Sequence, residues 1–189
     1  TIQNKALGSG QELLSDSYFT DAEYKDYTKF FLDQNNNGFL VTYLHPSSGD
    51  PSLYLFEITG NGTSIGAPEI IASFDEEQNE ILKALEVVKA GNGSFHFIYK
   101  SIIGMSSIKH RYRSAFGVWS PEQELGLHYD IPSFKATLDG DELHIVFLGG
   151  AEGPILYHLY GFQDGINHTV DASTLATLSS TPSQVVSLL

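Results

Sequence analysis

Apolar residues along this chain come in short runs of about five to eight, broken by clusters of Gly, Asn, Asp, Ser and Pro. Tyr, Phe, Ile, Val and Thr fill the runs, and alternation with polar residues is more frequent than helical spacing. This is the pattern of half-buried strands separated by turns, and it predicts an all-β fold. Glu77–Ala90 is the ambiguous stretch. Ile81, Leu85 and Val88 stand at helical spacing there, and Gly91 is placed to cap a helix. The repeat described next favours mostly strand after Leu85.

Three segments share one grammar: Lys29–Tyr43, Glu86–Tyr99 and Phe134–Phe147. Each reads as a strand, a turn rich in Asn, Asp and Gly, and a second strand ending in an aromatic residue. Asn-Gly and Asp-Gly suit such turns because both residue types tolerate positive φ. A further arm answers each second strand. Ser52–Phe56 answers Phe39–Tyr43, Ile108–Tyr112 answers Phe95–Tyr99, and Leu156–Tyr160 answers Leu143–Phe147. A fourth apolar piece follows each time: Ala67–Ile71, Trp119–Leu125 and, more weakly, Thr169–Leu175. The second and third units superpose at a shift of about 48 residues, and the first and second lie about 55–56 apart. Four strands per unit at such a period is the signature of a β-propeller blade.

The expected division is 16–75, 76–130 and 131–180 for three complete blades. Residues 1–15 read as the outer strand of a preceding blade, because Ser9–Leu14 resembles Ser120–Leu125. Residues 181–189 read as the inner strand of a following one. About three blades and two partial ones leave a ring incomplete, with sheet edges unpaired. The expectation is therefore a propeller portion completed by another chain or by the remainder of a longer one.

Composition narrows the function. The 189 residues are 41% hydrophobic and 17% charged, as in a folded domain. Ten Lys+Arg against 23 Asp+Glu give a formal charge of −13. A field of that sign repels phosphate backbones, so nucleic acid is not expected as a partner. No apolar run is long enough to predict a membrane-spanning helix, and no basic and apolar leader pattern opens the sequence. Cysteine is absent, which removes thiol catalysis, disulfides and Cys-based metal sites.

Gly93–Tyr99, then Arg111–Pro121, then Leu125 resembles a bacterial-neuraminidase-type repeat. Ser114–Trp119 is a degenerate form of that family's Asp-box, with Phe116 near the Asp position and one residue missing. The third unit keeps Gly165 but has Asn167 where the Trp would stand. The resemblance extends by repetition over most of the chain and is specific over about 40 residues of the second unit. It implies a propeller, usually of six or seven blades, in a family of sialidases, polysaccharide lyases and sugar-binding lectins. The fold alone does not choose among these activities.

A sialidase site of this family holds its substrate carboxylate with three arginines. Only Arg111 and Arg113 are present, two apart and hence on one face of a strand. A lyase would draw on His110, Arg111 and Tyr112, as the family's lyases use His, Tyr and Arg from propeller strands. His96 and His144 lie in apolar strands, with His110 and His158 fourteen residues later. With turns centred near Ile103 and Ala151, each pair would face directly across its hairpin. Paired imidazoles could ligate a metal or act as acid and base, but a repeated unit reproduces structural residues by default, and the structural reading is preferred.

Asp33, Asn35 and Asn37, with Gly38, have the spacing of a calcium loop. Leu44 stands where the bidentate acid should be, so a polar hairpin turn is the preferred reading and calcium the only cofactor in view. Trp119, Tyr112, Tyr129 and Tyr157 could stack on sugar rings, with Arg113 beside them, although Trp119 is first expected to pack between blades. Asp75–Glu80 reads as a solvated acidic loop, and Asn61, Asn92 and Asn167 fit the glycosylation pattern. The resulting expectation is an extracellular or secreted binding module, lectin- or adhesin-like. It would recognise carbohydrate or a protein partner through loops at one propeller face. The rival is part of a polysaccharide lyase or glycoside hydrolase.

Overall fold

A computed structural model of the chain describes residues 27–32, 37–45, 49–59, 64–103, 105–125, 134–140, 142–149, 155–162 and 171–177. Most of those residues are strand, and there is almost no helix among them. The strands are β1 (Lys29–Leu32), β2 (Gly38–Leu44), β3 (Ser52–Thr59), β4 (Ser64–Ile65), β5 (Glu69–Ser73), β6 (Ile81–Lys89) and β7 (Phe95–Ile103). They continue with β8 (Met105–Arg113), β9 (Gln123–Glu124), β10 (Phe134–Asp139), β11 (Glu142–Gly149), β12 (Ile155–Phe162) and β13 (Asp171–Thr177). The chain divides into two compact units, Thr1–Ile70 and Ile71–Leu189.

Three antiparallel sheets result. The first runs β1-β2-β3-β4, with β5 also on β3. The second runs β6-β7-β8-β9 and the third β10-β11-β12-β13. Within each sheet, strands that follow one another from β1 to β4, from β6 to β9 and from β10 to β13 pair antiparallel, the simplest way for short apolar runs to satisfy their backbone groups. The three central hairpins share one register. Leu40 opposes Phe56, His96 opposes Tyr112, and His144 opposes Tyr160, a spacing of sixteen residues each time. Equivalent pairs are 56 residues apart between the first and second sheets and 48 between the second and third. The repeat read in the sequence is thus a repeat of hydrogen-bonding register.

Glu77–Ala90 is not helical. Glu76–Asn79 turn, with Asn79 at φ 55°, and β6 begins at Ile81, earlier than expected. The helical spacing marks no common face, since Ile81 and Val88 fall on one side of β6 and Leu85 on the other. A bulge between Leu82 and Ala84 inserts Lys83, so that Leu82, opposite Ser101, and Leu85, opposite Tyr99, share a face although three residues apart. Both are buried.

In the first unit, Val41 opposes Leu55 and Tyr43 opposes Leu53, four side chains at most 2% exposed. In the second unit, one face of the second sheet packs on the third. Ile98 and Ile108 meet Phe134, Leu143, Ile145 and Phe147 in a buried cluster, flanked by Ala84, Val88, Leu125, Ala136 and Leu138. Each fully buried Ile, Leu or Phe contributes about 1.5–3 kcal/mol. The ion pair of Lys135 Nζ with Glu86 Oε1, at 2.5 Å, lies across the same contact.

Candidate functional site

The second sheet carries most of the candidate chemistry, and the alternation of β8 sorts it. Ile108, His110 and Tyr112 point to the face that packs on the third sheet. Lys109, Arg111 and Arg113 point to the other. The register aligns His96 and Ile98 with the first set and Phe95, Phe97 and Tyr99 with the second.

On the first face, His96 Nδ1 and His110 Nε2 are 3.0 Å apart, with ring planes 11° from parallel. The Tyr112 ring lies 5.0 Å from His96, centroid to centroid. His96 is 0% and His110 2% exposed, so the pair has no route to a large substrate. The two histidines are not directly opposite. His110 opposes Ile98, and His96 opposes Tyr112, so the pair is diagonal. The ladder closes with Ile103 opposite Met105, which centres the hairpin one residue beyond the expected position. In the third sheet His144 opposes Tyr160 and His158 opposes Val146, the same diagonal placement. His144 is partly exposed, with Nε2 3.5 Å from Glu142 Oε2.

On the second face, the Arg111 guanidinium lies 4.9 Å and that of Arg113 5.9 Å from the Trp119 ring centroid. Trp119 also meets Phe97 at 5.3 Å. Arg111 is held by two carbonyls, Ile71 O at 2.6 Å from Nη1 and Ser120 O at 3.1 Å from Nε. Ser120 ties β8 to the following segment. Its Oγ accepts from Tyr112 N–H at 2.9 Å and its N–H donates to Tyr112 O at 2.8 Å. Phe97, Arg111 and Arg113, which meet the Trp119 ring, all belong to its own sheet. His110 and Tyr112 lie on the opposite face from Arg111, so the three residues that catalysis would require do not converge.

Farther along this face runs a charged chain. Lys109 Nζ is 3.0 Å from Glu80 Oε1 and 3.3 Å from Glu122 Oε1. Glu122 Oε2 accepts from the Tyr99 hydroxyl, and Glu80 Oε2 accepts from Asp75 N–H at 3.2 Å. Burial works against the Lys109 charge, but Glu80 and Glu122 outweigh it and raise its pKa. Burial and the Glu122 carboxylate raise that of Tyr99 strongly. The acidic run is thus not wholly solvated. Glu80 is buried because it has Lys109 to pair with, while Glu76–Asn79 are exposed.

Between β8 and β9, Ser114–Trp119 forms a tight hairpin. Ser114 N–H donates to Val118 O at 2.8 Å, Gly117 N–H to Ser114 O at 3.0 Å, and Val118 N–H to Ser114 Oγ at 3.0 Å. Gly117 has φ +79°, and a Cβ there would lie 3.3 Å from Arg113 Nη2, so both backbone and space favour glycine. At the tip, Phe116 is 95% and Val118 62% exposed. Gly93 of the β6–β7 turn lies beside Ala115, which places both turns at one end of the sheet. Sequence reasoning took Phe116 only as a departure from a motif and did not anticipate its exposure.

The remaining candidates lie partly outside this view. Asp33, Asn35 and Tyr129 fall outside the described residues, and Tyr157 is placed by its backbone only, opposite Phe147. Asn37 leads into β2. Among the described residues no group of three His, Asp or Glu is gathered to hold a metal. Asn92 is a turn residue whose Oδ1 accepts from Ser94 N–H at 2.9 Å and Ser94 Oγ at 2.7 Å. Asn61, Asn167 and both terminal segments, 1–15 and 181–189, lie outside the described residues. Among those described, no helix is long and apolar enough to cross a membrane. No family model matches the chain, and no curated protein matches it in sequence.

Proposed function

We propose that this chain is part of a β-propeller, with its three sheets as successive blades of the neuraminidase-repeat type. Another chain or the remainder of a longer one would complete the ring. Its role is binding outside the cell, and the ligand is a carbohydrate recognised at the end of the second sheet that carries Ser114–Trp119. The single observation that carries this reading is the Phe116 side chain, 95% exposed on a hairpin closed by three hydrogen bonds. An aromatic ring carried on a backbone fixed in this way can stack on the C–H face of a sugar at the cost of ordering only its own side-chain torsions. Trp119, occupied by Phe97 and the two arginines, supports the hairpin from beneath. The lyase or hydrolase reading is disfavoured because His110 and Tyr112 are buried on the face away from Arg111.

A glycan array probed with the chain in its completed assembly tests this. Saturable binding that Phe116→Ser weakens at least tenfold supports the reading. Silence across the array, or binding that Phe116→Ser leaves unchanged, rejects carbohydrate recognition by this hairpin. Capture of a defined protein partner with the same Phe116 dependence would move the assignment to protein recognition.

A further inference from the structure

The His96–His110 pair has no part in that reading, yet it is the most deeply buried set of titratable rings among the described residues. Two neutral imidazoles at 3.0 Å share one hydrogen bond, with one ring nitrogen donating and the other accepting. One added proton can be carried on the donating ring, and the bond survives. A second proton places N–H against N–H and two like charges at contact distance, shielded from water.

Among the described residues the Tyr112 ring lies beside His96, Lys100 is buried on the same face, and Gln123 stands opposite His110 on β9. Among the described residues Glu86 on β6 contributes a carboxylate to this face, and it holds Lys135 of β10 at 2.5 Å. The third sheet's packing face is apolar, made of Phe134, Ala136, Leu138, Leu143, Ile145 and Phe147. Ile98 and Ile108, which grip that face, each stand two residues along the strand from a histidine of the pair.

We propose that the His96–His110 pair is an acid-responsive latch between the second and third sheets. Below about pH 6.5 the unfolded chain protonates both histidines, whereas the packed state holds at most one proton between them. The unfolded or opened state then binds more protons, so stability falls as pH falls through that window. The first sheet supplies an internal control, because its register-equivalent positions are Leu40 and Tyr54, a pair that does not titrate near neutral pH.

Amide hydrogen exchange of the intact chain at pH 7.5 and pH 5.0, corrected for the intrinsic pH dependence of exchange, tests the latch. One withheld proton predicts that segments 81–113 and 134–147 lose protection about thirtyfold more than segment 38–58. The double variant His96→Leu/His110→Tyr, which copies the first sheet, should abolish that difference. An equal acid loss in the double variant, or no selective loss in the wild type, overturns the proposal. Should the double variant not fold, His110→Gln keeps a hydrogen-bonding group without the second titrating ring, and it must reduce the selective loss. The wild-type comparison of segments decides independently.

Discussion

The two faces of the second sheet are built from the same strands and solve burial in opposite ways. One face is closed by shape. Ile98 and Ile108 fit against Phe134, Ile145 and Phe147, and beside them two buried histidines share one hydrogen bond. The other face is closed by charge, through Glu80, Lys109, Glu122 and Tyr99, with Arg111 bound to two carbonyls. Strand β8 contributes to both in strict alternation. A residue's chemistry here follows from its parity and from what lies across it, so neighbours in sequence such as His110 and Arg111 share no environment.

Deleting packing from the first face should have the largest effect. Phe147→Ala removes a ring that is 0% exposed and is expected to cost about 4 kcal/mol in denaturant unfolding. A cost below about 1 kcal/mol would show that the contact between the second and third sheets is loose. On the charged face, Glu80→Ala takes from the mostly buried Lys109 the nearer of its two carboxylates, leaving Glu122, and should cost about 2 kcal/mol. The double change Glu80→Leu/Lys109→Met should recover most of it, because an apolar pair has no desolvation to repay. No recovery would show that the charges, and not the space they fill, hold this face.

Tyr99→Phe is smaller, about 1 kcal/mol at neutral pH, and it also tests the pH response. The folded pKa values of Tyr99 and Lys109 are both raised. Their stabilisation is therefore fully present below the unfolded values near 10 and is lost as pH rises beyond them. Equilibrium unfolding between pH 8 and 11 should show stability falling at the alkaline end, less steeply in Tyr99→Phe. Equal slopes would remove Tyr99 from the account. Phe116→Ser should change stability least, within about 0.5 kcal/mol, because the ring is in water. A larger loss would mean that the tip is structural.

The strands were legible because period-two alternation and Asn-Gly or Asp-Gly turns are local signals. The shared register of Leu40–Phe56, His96–Tyr112 and His144–Tyr160 is visible as an offset between similar segments. The alternation of β8 also placed Arg111 and Arg113 on one face. What misled were effects acting across strands. Ile81, Leu85 and Val88 stand at helical spacing although β6 divides them between two faces, and a one-residue error in the hairpin centre turned a diagonal histidine pair into a direct one. The burial of Glu80 depends on Lys109, twenty-nine residues away, and no local pattern announces it. Phe116 read as a defect in a motif because exposure belongs to the folded hairpin and not to residue type.

The constant sixteen-residue step inside each central hairpin, set beside the unequal 56- and 48-residue steps between sheets, says where this chain tolerates a change of length. Eight residues of difference are absorbed entirely in the stretches that leave one hairpin and reach the next. A grafted epitope or cleavage site in those stretches leaves the pairing of the central strands untouched. An insert of odd length within a hairpin, unless looped out at its turn, turns every following side chain towards the wrong side.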